Sequence, residues 1–221
     1  MVDLSGPSLY DLIDHSTREW MTGLARRRDY GNGTTVHVRG DPNPTMDVVI
    51  KGQIRLSRFR KDGSRSFVSM IKAGQHFADI LMLSGFPRSH TAIAVGPVTI
   101  NHFDSAAFAR LLDCDELLRA LYTITAHRLA AAIAMVDDLR TLPRTAHLAK
   151  LLLGQSARAG SDGVVGVVQE DLAAIIGVSA MTLAKALAVL KREGLVETRY
   201  RQIRIPDRAL LAKWLERYED D

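Results

Sequence analysis

Gln169 to Gly194 reads QEDLAAIIGVSAMTLAKALAVLKREG, and its apolar residues fall on two helical stripes separated by a single interruption. The first stripe carries Leu172, Ile175 and Ile176. The second carries Leu183, Leu187 and Leu190, whose spacing of four and then three keeps one helix face apolar. Between them stand Gly177, Val178 and Ser179. A glycine supplies the backbone freedom of a sharp turn, a valine fills the angle between the helices, and a serine is a good N-cap for the second helix. With Leu187 at the centre of the buried face, Met181, Thr182, Lys185, Ala188 and Arg192 point outward. A helix pair of this build holds its second helix in the major groove of DNA, so these positions are expected to face base edges and phosphates.

The residues after this segment strengthen that expectation. Leu195 to Ile205, LVETRYRQIRI, alternates apolar and polar residues around a short basic middle, as a two-stranded hairpin does. Helix, turn, helix and hairpin are the order of a winged helix. Arg199, Arg201 and Arg204 lie in or beside the hairpin, where they can meet a phosphate backbone. From Arg144 to Arg208 ten Lys or Arg oppose six Asp or Glu, an excess equal to the formal charge of +4 on all 221 residues. The basic excess therefore coincides with the motif. The acidic tail from Glu216 to Asp221 is expected to stay off the DNA.

The N-terminal half has a different texture. VHV at 36 to 38, MDVVIKGQIRLSRFR from Met46, SRSFVSMI from Ser64, TAIAV and VTINHF read as short strands of an antiparallel β unit, a barrel or jelly roll. Gly52 is expected to divide the second stretch into two strands. Lys61-Asp62-Gly63-Ser64 reads as a turn, since Asp-Gly tolerates positive φ. Between Gly74 and Gly85, the spacing of Phe77, Ile80, Leu81 and Leu83 predicts a short helix packed through those side chains.

From Ser105 to Leu142 the pattern is that of one long helix, stopped by Pro143. Leu118, Leu121, Thr125, Arg128, Ala132, Met135 and Leu139 recur at alternating spacings of three and four, a heptad seam suited to a two-fold dimer interface. The overall expectation is an α+β chain in three parts: a β-roll sensor over residues 1–115, a dimerisation helix over 116–142 and a winged helix-turn-helix over 143–221.

Composition excludes several alternatives. Cys114 is the single cysteine, so one chain holds neither an internal disulfide nor an iron–sulfur cluster. The start lacks a basic leader with an apolar core, and no apolar run approaches the roughly 18 residues of a membrane span, so a cytoplasmic protein without membrane attachment is expected. No glycine-rich phosphate loop, nucleophile elbow or HExxH pattern favours an enzyme. His76 and Asp79 have a ligand-like spacing, yet no dense cluster surrounds them in sequence, and no metal site is assigned.

The order of parts resembles the cyclic AMP receptor and fumarate-nitrate regulator (CRP/FNR) family. The resemblance rests on QEDLAAIIGVS with the Thr, Lys and Leu residues after it, on VVIKGQIRLSRF with the Asp-Gly turn, and on AGQHFAD followed by RSHTAIA. It implies a homodimeric sensor that binds a two-fold operator, with half-sites one helical turn apart, and that contacts RNA polymerase. It also implies an effector pocket at Ala78, Asp79, Arg88, Ser89, Ala132 and Ile133, and DNA contacts from Ser179, Met181, Thr182, Lys185, Arg199 and Arg201.

Departures from the family pattern matter as much as the matches. Cyclic AMP binders have Gly-Glu where this chain has Ala78-Asp79, and a Thr-Ser pair for adenine where it has Ala132-Ile133. Arg88 can still pair with an anion and Ser89 can still donate, but neither Ala132 nor Ile133 can hydrogen-bond a base. A sensor that does not bind cyclic AMP in the usual way is therefore expected, with its small-molecule effector unassigned. The competing expectation for Arg88 and Asp79 is an ion pair between the two inside the β roll. In the recognition helix, Ala180 and Met181 replace the family's Arg and Glu, so the operator should differ from the usual one. Two other readings keep the fold: a cyclic-nucleotide-responsive regulator with a divergent pocket, and an effector-independent architectural DNA-binding protein.

Overall fold

The computed structural model describes residues 7–59, 65–159, 164–166, 169–200 and 202–218. The Asp-Gly turn and Arg201 lie outside them. The chain divides into two compact units, and the boundary falls within its longest helix, between Ala130 and Ala131.

The first unit opens with a single 3-10 turn and helix α1 (His15–Gly23), capped by Asp14, whose side chain accepts from the Thr17 amide. An antiparallel sheet comes next: β1 (Arg26–Tyr30), β2 (Thr35–His37), β3 (Met46–Phe59), β4 (Arg65–Lys72), β5 (His76–Phe77) and β6 (Thr91–Phe103), in the order β1-β6-β3-β4 with β2 on β6 and β5 on β3. The β unit expected from sequence is present. Strand β1 was not legible, because RRRDY has almost no buried side chain and is held by main-chain pairing, Arg26 opposite His102 through Tyr30 opposite Val98.

Gly52 does not divide the second stretch. It sits inside continuous β3, where the register against β6 shifts between Val49 and Gln53. Its φ is 83°, and the Pro97 carbonyl oxygen occupies the space a Cβ would need. Only glycine can bend the strand there. TAIAV and VTINHF likewise form one strand, β6. Val49, Ile54, Ile71, Phe77, Ala92, Ala94, Val98 and Ile100 fill one apolar cluster of the roll.

The short helix α2 (Asp79–Ser84) forms as expected but buries only part of the predicted stripe. Leu81 is buried, whereas Ile80 and Leu83 are exposed. A helix of six residues is too short to bury both sides, and Phe77 belongs to β5.

The single helix read over Ser105 to Leu142 is two: α3 (Ser105–Leu112) and α4 (Asp115–Thr141). Asp104 caps α3 by accepting from the Ala107 amide, and Asp115 and Glu116 place negative charge at the positive end of α4. Leu117, Ala120, Leu121 and Ile124 of α4 pack with Phe103, Phe108 and Leu111 in a second cluster of this unit. That packing corrects the seam. Leu121 is consumed by its own unit, while the large apolar residues left exposed on α4 are Tyr122, Leu129, Ile133 and Val136, a heptad stripe offset by one residue.

The second unit contains α5 (Arg144–Ala159), β7 (Val164–Gly166), α6 (Gln169–Ile175), α7 (Ala180–Arg192), β8 (Glu197–Arg199), β9 (Gln202–Arg204) and α8 (Arg208–Glu216). The predicted hairpin forms, widened by β7 into a sheet of order β7-β9-β8. Leu148 and Leu152 of α5, Leu172 and Ile176, Leu183, Leu187 and Leu190 of α7, and Leu211, Trp214 and Leu215 of α8 share one core. Among the described residues no helix is long and apolar enough to cross a membrane.

Candidate nucleic-acid interface and effector pocket

Helices α6 and α7 meet through the turn that the sequence requires. Gly177 has φ of 67°, and the Val178 amide donates to the Ala173 carbonyl at 2.9 Å, closing the end of α6. Ser179 then starts α7: its Oγ accepts from the Thr182 amide at 3.2 Å and lies 3.0 Å from Thr182 Oγ1. Leu183, Leu187 and Leu190 are buried as predicted, so their spacing fixes the rotation of α7 about its axis. The opposite face presents Met181, Lys185, Ala188 and Arg192 to solvent, with Thr182 half-buried. Met181 is 70% exposed.

The far end of α7 is also tied down. Gly194 takes φ of 71° and the Leu195 amide donates to the Leu190 carbonyl at 2.9 Å, turning the chain into the wing. Arg199 ends β8 and is exposed. Beside it Tyr200, 88% exposed, stands at the hairpin tip. Tyr200 is not legible as a site residue in the sequence, because a single aromatic side chain leaves no spacing pattern.

The predicted pocket residues are divided among different partners. Asp79 is held by Arg128, whose Nη1 donates to Oδ1 at 3.0 Å and to Oδ2 at 2.9 Å while Nη2 donates to the His76 carbonyl at 2.8 Å. His76 Nε2 lies 3.3 Å from Asp79 Oδ2. Burial pushes the Asp79 carboxyl up, but His76 and the Arg128 charge outweigh it, and its pKa falls below the usual carboxylate range. Burial also lowers the pKa of His76, which is held neutral.

Arg88 is engaged elsewhere. Its Nη2 donates to the Asn43 carbonyl at 2.9 Å and to Thr45 Oγ1 at 2.7 Å, and Nη1 is 3.7 Å from Asp47 Oδ2. The expected ion pair between Arg88 and Asp79 is therefore not formed, since each has a different buried partner of opposite charge. Ser89 is exposed, with Oγ 2.8 Å from His90 Nδ1. Ala78 has φ of 66°, a left-handed conformation that suits glycine, as the family pattern at this position implies. On α4, in the second unit, Ala132 is half-buried and Ile133 exposed, and neither side chain carries a polar atom. Sequence reasoning missed Arg128 as a partner of Asp79, although an arginine interrupting an apolar seam was the available signal.

Comparison with known proteins agrees with this division of the chain. The family described as "Cyclic nucleotide-binding domain" matches residues 27–115, and "Crp-like helix-turn-helix domain" matches residues 146–214. The chain is 24% identical over 217 residues to the CRP-like cAMP-activated global transcriptional regulator of Mycobacterium tuberculosis, covering 95% of this chain and 97% of that protein. It is 26% identical over 193 residues to the cyclic AMP receptor protein of Thermus thermophilus, covering 84% and 86% of the two chains. Its fold matches the c-di-GMP responsive global regulator CLP of Xanthomonas campestris with a TM-score of 0.74 at 19% identity, over 88% of this chain and 100% of that one. A cyclic-nucleotide-binding fold followed by a Crp-like helix-turn-helix, with regulators of this kind aligned along nearly the whole length, places the chain in the CRP/FNR family of DNA-binding transcription regulators.

Proposed function

We propose that this regulator acts as a homodimer on a two-fold DNA site and that its sensor unit does not read cyclic AMP in the family's usual way. The observation that carries the second part is the pair of occupied partners: both oxygens of Asp79 are held by Arg128, and Arg88 is turned to Asn43, Thr45 and Asp47. A ribose hydroxyl or a cyclic phosphate has to displace these buried, charge-assisted contacts before it can bind. Ala132 and Ile133 offer an adenine ring no donor or acceptor.

For the first part, the exposed stripe of Tyr122, Leu129, Ile133 and Val136 supports pairing of α4 with a second copy, and a two-fold dimer sets two copies of α7 on two half-sites. In this reading Lys185 contacts guanine or phosphate, Met181 offers apolar contact to a thymine methyl, and Ser179, Thr182, Arg199 and Arg201 bind phosphates. The protein works in the cytoplasm, contacts RNA polymerase from its operator, catalyses no reaction and carries no iron–sulfur cluster.

A second reading, a cyclic-nucleotide-responsive regulator with a divergent pocket, is favoured by the match of residues 27–115 and by the likeness to the c-di-GMP responsive Xanthomonas protein. Calorimetric titration of the full chain with cyclic AMP and, separately, with c-di-GMP distinguishes the two. No saturable heat with cyclic AMP up to high micromolar concentration is the expected result; saturable binding of cyclic AMP contradicts the proposal, and binding of c-di-GMP alone selects the second reading.

A further inference from the structure

In the first unit the sheet register brings together three side chains that lie far apart in sequence. His37 ends β2, Asp47 is the second residue of β3, and His102 on β6 is the direct antiparallel partner of Asp47. His37 Nε2 lies 2.5 Å from Asp47 Oδ2, and His102 Nδ1 lies 2.6 Å from Oδ1. The carboxylate thus receives one imidazole nitrogen on each oxygen, and Thr45 Oγ1 adds a third contact at 3.0 Å.

We propose that His37, Asp47 and His102 form a binding site for a divalent first-row transition metal ion. Two imidazoles and a carboxylate are a ligand set of zinc sites and of non-haem iron sites that keep positions open for water or a further ligand. The three donor atoms lie within 4.8 Å of one another. Ligands of a tetrahedral zinc ion at about 2.1 Å stand roughly 3.4 Å apart, so a shift of under about 1 Å converts the two hydrogen bonds into metal bonds. Each ring nitrogen beside the carboxylate must turn its lone pair to the ion, so the proton of the neutral ring sits on the opposite nitrogen when the metal is bound, for His102 the one that faces the Tyr30 hydroxyl.

Three further observations fit a metal site better than an inert polar cluster. The donors sit on three paired strands, so their backbones are fixed before any ion arrives. His102 Nε2, the nitrogen that faces away from Asp47, lies 2.8 Å from the Tyr30 hydroxyl, the kind of outer contact that fixes the tautomer of a metal-bound histidine. Both histidines also line a cleft of about 610 Å³, together with Tyr30, Asp41 and Thr45, which gives an ion an entry path and room for a fourth ligand.

The electrostatics permit a cation. Burial pushes the Asp47 carboxyl up, but hydrogen bonds from His102 and His37 outweigh it and keep the group ionised. Arg88 Nη1 lies 3.7 Å from Oδ2, with its other terminal nitrogen directed to Asn43 and Thr45, and Arg26 and Arg28 at the cleft wall are accompanied there by Asp41 and Asp104. In sequence it is His76 and Asp79 that have ligand-like spacing, and no metal site was expected; in the fold Asp79 is held by Arg128, and the clustered donors are these three.

The test is titration of the full, chelator-stripped chain with Zn2+ by calorimetry and with Co2+ by visible absorption. One equivalent of Zn2+ per chain and a ligand-field spectrum of four- or five-coordinate Co2+ are expected. His37→Gln and His102→Gln should each weaken Zn2+ binding by well over tenfold, and Tyr30→Phe, which removes no ligand, by about tenfold. His15→Gln, on exposed α1, should change nothing. Melting curves of the metal-free variants establish that each is folded, and the Co2+ spectrum of the parent reads the site without any substitution. No Zn2+ heat and no such Co2+ spectrum in the parent, or Zn2+ affinity unchanged in the folded His37→Gln and His102→Gln variants, overturns the proposal.

Discussion

Arg128 on α4 donates through one nitrogen to both oxygens of Asp79, at 3.0 and 2.9 Å, and so fastens the first residue of α2 to the long helix. The contact links the place where the family pattern puts an effector carboxylate to the element that carries the exposed apolar stripe. Arg128 and Asp79 are largely buried, with side chains 16% and 5% exposed, so the pair is screened little by water.

Removing one partner alone should therefore be costly. Arg128→Met leaves the Asp79 carboxylate buried without its cation, and a loss of about 3 kcal/mol is expected in urea denaturation. Pairing it with Asp79→Asn should recover a large part of that loss. An additive double variant would show that the two side chains do not act as a unit.

Ala78→Gly should stabilise the protein. Alanine in the left-handed region costs about 1–2 kcal/mol, and the extra freedom of an unfolded glycine offsets about 0.4–1 kcal/mol of the relief, leaving a net gain of roughly 0.5–1 kcal/mol. A raised melting temperature is the expected readout, and a lowered one would indicate that the methyl group is packed rather than strained.

Mild acid should weaken the fold. His76 is kept neutral by burial, so its pKa in the folded protein lies below the value of about 6.5 it recovers on unfolding. Below pH ~6.5 the unfolded chain binds more protons than the folded one, and stability falls as pH drops from there toward the folded pKa. His147, lowered by burial in the second unit, contributes in the same sense. His76→Gln should show a flatter profile of urea midpoint between pH 7.5 and 5.5 than the parent.

The exposed stripe predicts the oligomeric state. Leu129→Glu with Ile133→Glu should convert a dimer at micromolar concentration to a monomer by light scattering, with helix content retained. Leu121→Ala, on the buried face, should instead lower stability by about 2–5 kcal/mol through a core cavity and leave association intact.

How far the sequence could be read followed the range of the interactions involved. The α6–α7 motif was legible because its determinants are local: a leucine stripe, a glycine at positive φ and a serine cap within a few residues of one another. The offset of the α4 stripe was not, because Thr125, Arg128 and Ala132 complete a heptad pattern as well as Ala126 and Leu129 do, and only packing of Leu121 and Ile124 decides which face is inside. The break between α3 and α4 was hidden because Asp113 and Cys114 interrupt neither charge pattern nor periodicity. Arg128 with Asp79 is separated by 49 residues and Asp47 with His102 by 55, and sheet register rather than spacing brings the latter pair together.

Lys185 is an exposed cation near the middle of α7, on the face opposite Leu183, Leu187 and Leu190. Lys185→Ala should cost about 1–3 kcal/mol of operator affinity, measured by footprinting at fixed salt. Unchanged affinity would remove it from the interface.

The most direct measurement is selection of bound DNA from a random pool by the full chain, with and without cyclic AMP. A two-fold symmetric sequence, enriched to the same extent in both conditions, is the predicted result. No enriched sequence, or enrichment that requires cyclic AMP, contradicts it.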